Sequence, residues 1–475
     1  MLIYIYFNTN LHKNQILAFK IKKFMVKYMS NIKKINILKT WKDWNIWIWK
    51  LLFVHYGCKV NQYETNAMTE KFINKGYEIV DFNDKADIYI INTCTVTNMA
   101  DRKSRQMLRR VKEINPESIL IACGCYAQVA KDELAKIPEI DLILGTNEKN
   151  KIVEYVENYK NNTEKETIVT DVMYQKEFLD FGATEYTEKT RAVIKVQDGC
   201  DRFCSYCIIP YARGHIRSRN VTSVVEEIKA IAQKGIKEVV ITGIHLASYG
   251  KDYKPHIGLI DLLEEINKID GIERIRLGSL EPTLITEEFL ERLTKLDKIC
   301  DHFHLSLQSG CDATLKRMNR RYTIEEFAKS VELLKKAYQN VALTTDIIVG
   351  FPGETDAEFE STYQFLKDID FYKMHIFKYS QRKGTKAAVM PNQIDGSIKE
   401  KRSKILIDLS DENTKRHNEK YIGKDVKVLW EEKEGDYIKG HTTNYIVVKK
   451  PYEKLENEIT VVNIQAEENL ELIAK

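Results

Sequence analysis

Apolar and polar positions along this chain fall into three successive regimes. Between residues 51 and 147, three short apolar runs, Leu51–His55, Asp87–Asn92 and Ser118–Ala122, are separated by longer amphipathic stretches. A strand plus its crossover helix takes about 30 residues or more, so this stretch predicts a doubly wound α/β unit. From Thr190 to about Ser410 strand-like runs alternate with helical patterns: Ala192–Gln197, Glu238–Thr242, Arg274–Gly278, His302–Leu307, Ala342–Val349 and Lys373–Lys378. Six such units predict a parallel sheet curled into a partial (βα)6 barrel. From about Lys415 only short strands remain, Asp425–Glu431, Tyr437–Thr442, Tyr445–Lys450 and Glu458–Gln465. The expected domains are therefore 51–147, 189–410 and 411–475, with the charged, polar residues 148–188 as a connector.

At 475 residues the chain exceeds one ordinary core, which agrees with two or three domains. Its formal net charge of +4 is unevenly spread. Residues 1–50 hold ten Lys, no Arg, one Asp and no Glu, a contribution of +9, which leaves −5 for the rest. Any nucleic acid must then be bound through local patches, because overall charge does not favour it. The first 50 residues also carry Trp41, Trp44, Trp47 and Trp49. They read as an upstream extension beyond an internal start at Met25 or Met29, or as a basic aromatic arm for RNA or a membrane surface. Trp44–Val54 is broken by Lys50 and too short to span a bilayer, and no signal-peptide pattern stands at the start. A cytoplasmic protein without a membrane partner is expected.

The nine cysteines change the picture most. An odd number, clustered at metal-ligand spacing, points to a reducing compartment rather than to disulfides. Cys200, Cys204 and Cys207 form a C-x3-C-x2-C loop directly after the first strand of the second regime. Zinc sites close with four protein ligands, usually in C-x2-C pairs, and the bacterial ferredoxin run is tighter and has a fourth cysteine. Three thiolates at this spacing leave one corner of a four-iron cluster open for a ligand that is not protein. Cys58, Cys94 and Cys125 each follow one of the three apolar runs of the first regime. In a parallel sheet with right-handed crossovers all three emerge at the carboxyl edge, where open α/β sheets bind ligands. They form a second three-cysteine site built from distant segments. Cys123 reads as a strand end, and Cys300 and Cys311 as small buried hydrophobes.

These residues carry a resemblance. The chain is similar to the methylthiotransferases, radical S-adenosylmethionine (SAM) enzymes with two four-iron clusters, over about residues 51 to 475. Their motifs stand here as Gly57-Cys58-Lys59-Val60-Asn61-Gln62-Tyr63-Glu64, Asn92-Thr93-Cys94 and Gly124-Cys125-Tyr126-Ala127-Gln128. His55-Tyr56 departs from the family, where a Thr and a variable residue are expected. Lys59–Glu64 and Ala100–Gln106 resemble the branch that adds a methylthio group to carbon 2 of N6-threonylcarbamoyladenosine at position 37 of tRNA. Other branches act on isopentenyladenosine or on a ribosomal-protein aspartate. A non-enzymatic iron–sulfur RNA-binding protein is the remote alternative.

The resemblance implies two [4Fe-4S] clusters. The one on Cys200, Cys204 and Cys207 splits SAM into methionine and a 5′-deoxyadenosyl radical, and the one on Cys58, Cys94 and Cys125 carries the sulfur. It also implies tRNA as partner, a flavodoxin- or ferredoxin-like reducing electron donor and a sulfur source. SAM is expected near Gly243 in the run Thr242–His245, Ser279 and Glu281 after the third strand, Gln308 after the fourth, and Ile348 and Gly350 after the fifth. His245 and His304 stand open between ligand and barrel packing. For tRNA, Arg102, Arg105, Arg109 and Lys112 recur at helical spacing and form a candidate phosphate stripe. The last domain looks like the RNA-binding β-barrel called TRAM. Its residues 412–475 hold eleven Lys and Arg against thirteen Asp and Glu, so Tyr437, His441, Tyr445 and Lys449 are the candidate local contacts.

Overall fold

A computed structural model describes residues 48–55, 57–81, 84–182, 184 and 190–475. The expectations for Trp41, Trp44, Trp47, the internal starts and Tyr56 lie outside the described residues.

The first domain is a six-stranded, fully parallel sheet made of β1 (Lys50–His55), β2 (Glu78–Ile79), β3 (Ile88–Thr93), β4 (Ile119–Gly124), β5 (Leu142–Leu144) and β6 (Glu166–Ile168), in the order β2-β1-β3-β4-β5-β6. β3 and β4 are buried at every position, as strands covered on both faces must be. One face packs around Leu51, Phe72, Ile90 and Ile121, the other around Leu52, Leu108, Ile91 and Leu120. The helix α1 (Lys59–Asn74) follows β1 and α2 (Asn98–Ile114) follows β3. Thr97 caps α2 by accepting from the Ala100 amide at 3.2 Å, worth about 1 kcal/mol. Residues 148–188 are more than a connector. They supply the helix Ile152–Asn162 and the edge strand β6, because Val153 and Val156 complete the first sheet's core.

The second domain curls six parallel strands into an open barrel: β7 (Arg191–Asp198), β9 (Glu238–Gly243), β10 (Arg274–Leu277), β11 (His302–His304), β12 (Ala342–Val349) and β13 (Lys373–Lys378). A short antiparallel β8 (Arg217–Ser218), absent from the sequence reading, borders β7. Single bridges, including Leu280 to Leu305, join β10 to β11. Alternation sorts the side chains. Ala192, Ile194 and Val196, Ile275 and Leu277, Phe303 and Leu305, and Leu343 and Ile347 pack outward into the main core. Arg191, Arg276, His302, His304, Asp346 and His375 therefore face the lumen.

The helix Gly396–Glu419 runs unbroken through the expected boundary at 410/411, beginning at the Asp395 cap. Beyond it β14 (Asp425–Glu434), β15 (Tyr437–Thr442), β16 (Val447–Pro451), β17 (Ile459–Glu468) and the unexpected β18 (Glu471–Ala474) close a small barrel around Trp430. Tyr445 is a corner rather than a strand residue, with φ +68°. This corner closes the bottom of the SAM-type barrel. Arg276 donates to the carbonyls of Thr443 (2.9 Å) and Thr442 (3.2 Å), and the Tyr445 ring stacks between His302 and His441, at 4.8 and 4.6 Å. His441 and Tyr445 are thus spent on docking and are removed from the candidate RNA contacts. Of the remaining pair, Tyr437 is exposed with Lys449 5.5 Å above its ring.

Candidate functional site

The C-x3-C-x2-C loop leaves the carboxyl end of β7 in a turn that sequence and packing both demand. Gly199 has φ +70°, and a Cβ there would strike the His215 carbonyl. The Cys200 amide donates to Gly214 O at 3.0 Å, Ser205 Oγ to Arg317 O at 2.8 Å, and Asn319 Nδ2 to Phe203 O at 3.0 Å. The three cysteines are each half-buried, and Cys200 and Cys204 lie close enough to Cys207 to act on its thiol. Burial pushes the Cys200 thiol up to about 11 and the Cys207 thiol up to about 12. The Arg320 guanidinium donates to Cys204 Sγ at 3.4 Å.

The other triad sits where the order of the first sheet reverses, between β1 and β3, which is where open α/β sheets bind ligands. Cys58 is the N-cap of α1, Cys94 follows β3, and Cys125 opens the short helix after β4. Gly57, at φ +112°, leaves room that a Cβ would fill 2.6 Å from Cys94 Sγ. Burial, then the nearby Cys125, raises the Cys94 thiol to about 12.

Both triads suit a cluster better than a single ion. Tetrahedral thiolate zinc holds its sulfurs about 3.8 Å apart. Among the described residues the only acid, His or Cys group whose ligand atoms converge within 4.8 Å is His304, Asp346 and His375. Each thiol triad is wider than that.

Sequence reasoning missed what stands behind the second triad. Arg213 Nε donates to Cys125 Sγ at 3.2 Å, and its remaining nitrogens reach Glu64, Asn61 Oδ1 (2.8 Å) and Asp198 (3.3 Å). Glu64 also binds Lys149 Nζ (2.6 Å) and Lys195 Nζ (2.7 Å), while Asp198 binds Lys195 (2.6 Å) and Arg217 (3.6 Å). All six charged side chains are at most 4 % exposed. Burial alone would raise the Glu64 carboxyl, but Arg213, Lys149 and Lys195 hold it well below the usual range. Four cations against two anions leave positive charge beside Cys125, which suits an anionic thiolate-ligated cluster. The available signal was Glu64 itself. A carboxylate in the second turn of α1 inside an α/β core demands buried cations, and these come from Lys149 of the same domain, Lys195 of β7 and Arg213 after Cys207.

The residues expected around SAM gather at the carboxyl mouth of the barrel, with unequal freedom. Glu281 is 3 % exposed, bound by Arg202 and lying 3.3 Å from His245 Nε2. Although burial opposes it, His245, Arg202 and Arg320 bring its pKa down to about 2. Gly243 has no space for a Cβ, which would meet Gln197 at 2.9 Å. Gln197 in turn accepts from the His245 amide (2.7 Å) and donates to Asp198 O and Gly199 O. Ser279 is exposed, and Gln308 holds φ +73° between the β12 groups Asp346 O and Ile348 N, at 2.9 Å each. Ile348 packs beside Tyr206 of the cysteine loop. At Gly350, a φ of +69° and the Lys399 chain against it account for the glycine.

A cleft of about 710 Å³ lies where the first domain meets the barrel, lined by Asn98, Tyr126, Ile208, Tyr211 and Arg382 among others. Tyr126 follows Cys125 and Ile208 follows Cys207, so this cleft adjoins both. Arg382 ties its walls together through Asp101 Oδ2 (2.6 Å), Thr95 and Asn98. Val96, Met99 and Tyr211 are exposed large hydrophobics nearby. The expected basic stripe is broken. Arg105 is engaged by Tyr126 (2.6 Å) and Glu133 (3.4 Å), and Lys112 by Ser118 O and Asp141 (3.1 Å), leaving Arg102 and Arg109 exposed.

Comparisons with known proteins agree with this geometry. A family model described as "Radical SAM superfamily" matches residues 194–366, and one described as "Uncharacterized protein family UPF0004" matches residues 50–145. The threonylcarbamoyladenosine tRNA methylthiotransferase MtaB of Bacillus subtilis is 42% identical over 86% of this chain and 92% of its own. That of Aquifex aeolicus is 43% identical over 84% and 96%. A tRNA-2-methylthio-N(6)-dimethylallyladenosine synthase of Clostridium tetani is 36% identical over 79% and 84%. The radical SAM methyltransferase TsrM from Kitasatospora setae, solved with cobalamin and a [4Fe-4S] cluster, shares the fold at a TM-score of 0.53 and 15% identity, over 72% of this chain and 74% of its own.

Proposed function

We infer, for a chain that belongs to the radical SAM tRNA methylthiotransferases, that it methylthiolates carbon 2 of N6-threonylcarbamoyladenosine at position 37 of tRNA. The carrying observation is the pair of three-cysteine sites at the carboxyl ends of the two parallel sheets, in a chain 42% identical to a relative named for that reaction. Carbon 2 bears a C–H bond that no side-chain acid or base activates near neutral pH. When bound, SAM and the two [4Fe-4S] clusters supply the radical hydrogen abstraction and the methylthio sulfur.

The protein's share is to bind and orient. Cys200, Cys204 and Cys207 hold one cluster, while Cys58, Cys94 and Cys125 hold the other. Glu281, kept ionised by His245, Arg202 and Arg320, is a fixed acceptor at the barrel mouth for SAM's ribose hydroxyls. The Gln197 clamp fixes the loop between Asp198 and Gly199 against the β9 exit at Gly243 and His245, and Gln308 and Ile348 border the same mouth. Arg213 keeps Cys125 in place and its surroundings positive. Tyr211 offers an exposed ring at the cleft for the flipped or unstacked base. Arg102 and Arg109 on α2, with Tyr437 and Lys449 on the last barrel, are the surfaces offered to tRNA phosphates and bases.

A flavodoxin- or ferredoxin-like donor, a separate sulfur source and cytoplasmic location complete the proposal; among the described residues no helix is long and apolar enough to cross a membrane. The test is nucleoside mass spectrometry of tRNA from cells with and without the gene. Loss of the methylthio mark, with accumulation of unthiolated threonylcarbamoyladenosine, is expected. An unchanged nucleoside overturns the substrate, and a change in isopentenyladenosine instead reassigns it.

A further inference from the structure

Lys59 is the residue after the auxiliary ligand Cys58 and the first of α1, so its side chain starts where the sulfur-bearing site is held. Its ammonium lies in the barrel lumen, among Arg191, Arg276, Glu238 and Tyr445 at the bottom and close enough to His302 and His375 to act on both. The neighbouring anions are already committed. Glu238 is bonded by Arg276 at 2.7 Å and has Arg274 at 3.7 Å, and Glu431 is bonded by Arg191 at 3.1 Å. Among the described residues Lys59 has neither a hydrogen bond nor an ion pair, although the side chain is open to the lumen.

A second observation lies on the facing wall. His304 Nδ1 is satisfied by Thr344 Oγ1 at 3.0 Å, while its buried Nε2 lies 3.4 Å from Asp346 Oδ2 and makes no hydrogen bond. That nitrogen, an Asp346 oxygen and a His375 nitrogen lie within 4.8 Å of one another on three adjacent strands. Among the described residues the lumen therefore offers a cation with neither hydrogen bond nor ion pair, and a polar wall whose His304 Nε2 makes no hydrogen bond. An apolar group placed there would strand both, at about 1–3 kcal/mol for each unsatisfied group. A group carrying a carboxylate together with other hydrogen-bonding atoms would satisfy both.

We propose that Lys59 determines substrate choice by binding the carboxylate of the threonylcarbamoyl side chain, with the His304–Asp346–His375 wall taking that side chain's hydroxyl and ureido groups. This inference rests on the function proposed above. The base's N6 substituent enters the lumen while carbon 2 stays toward Cys58 and the cleft, because Lys59 and Cys58 are adjacent in the chain. An isopentenyl group, with neither charge nor hydrogen-bonding atoms, leaves the ammonium unpaired, so the lysine also acts against that substrate.

The test uses the reconstituted holoprotein and three anticodon stem-loops that differ only at the modified base. One carries threonylcarbamoyladenosine, one its carboxamide analogue, and one isopentenyladenosine. Dissociation constants are measured at one fixed salt concentration, and iron content is recorded for every variant. For the unaltered protein the carboxylate probe should bind about 10- to 100-fold more tightly than the carboxamide, the range of a charge-assisted hydrogen bond. Lys59→Gln should bring that ratio to about one at full iron content, and Lys59→Arg should restore most of it. A Lys59→Gln protein that keeps the full ratio overturns the assignment, as does an unaltered protein indifferent to the carboxamide. A protein that methylthiolates only the isopentenyl stem-loop overturns the function reading instead, and the inference with it.

Discussion

Replacing Glu64 by Gln tests whether the buried charge network fastens the first domain to the barrel. Glu64 lies on α1, is fully buried, and pairs with Lys149 of its own domain and with Lys195 and Arg213 of the second. Gln keeps the shape but removes the charge, leaving Lys149, Lys195, Arg213 and Arg217 around the single anion Asp198. Removing one partner of a buried ion pair costs about 3–5 kcal/mol, because the other charge stays desolvated. Three cations lose their shared anion here, so the upper part of that range is expected. The exposed Lys295–Glu291 pair, 3.1 Å apart at the end of the helix Glu287–Leu293, provides the control. Glu291→Gln should change stability by less than about 0.5 kcal/mol. Urea unfolding followed by far-ultraviolet circular dichroism gives both numbers, and limited proteolysis localises the opening between the domains. A Glu64→Gln protein within about 1 kcal/mol of the parent would refute the reasoning, and the network would then be dispensable to docking.

Three further outcomes are expected. Changing Cys58 to Ala should leave SAM cleavage, read as 5′-deoxyadenosine release, while abolishing the methylthio nucleoside and lowering bound iron; Cys200→Ala should abolish both products. Gly57→Ala places a Cβ 2.6 Å from Cys94 Sγ at a backbone angle of +112°, so iron titration and electron paramagnetic resonance should show loss of the auxiliary cluster with the other retained, and two intact signals would contradict the geometry. Asp370 pairs with His417 and Arg416 of the helix Gly396–Glu419, and the His417 hydrogen bond foremost lowers its pKa from 3.8 to about 2. A depressed carboxylate stabilises the fold above its unfolded pKa and loses that effect as pH falls through the folded one. The stability gap between the parent and Asp370→Asn should therefore be constant above about pH 5 and vanish between about pH 4 and 2. It should be under about 1 kcal/mol, since the pair is partly exposed.

Much of this molecule is legible in its sequence because short-range patterns decide it. The period-two and crossover spacing predict the α/β unit and the six barrel strands, since a strand buried on both faces has to be continuously apolar. The two cysteine sets are legible for the same reason. Chain direction puts the residue after a parallel strand at the carboxyl edge, and the sheet order β2-β1-β3-β4-β5-β6 then brings Cys58, Cys94 and Cys125 to its reversal point. The strands β8 and β18 escaped notice because two to four residues carry no periodicity.

What only the tertiary structure decided is which polar side chains are spent. Lys112, Arg105, His441 and Tyr445 have the composition of an RNA-binding surface, yet each is taken up by a partner distant in sequence: Asp141, Tyr126, Glu431 and Arg276. Conversely Arg213, Lys149 and Lys195 look like surface cations and are buried around Glu64. Lys59 looks like one more motif residue, yet its side chain opens to the barrel lumen with neither hydrogen bond nor ion pair among the described residues. A charged side chain's fate depends on which opposite charge the fold brings within about 4 Å, where attraction offsets desolvation. That distance is set by tertiary packing within and between domains, where no local pattern records it.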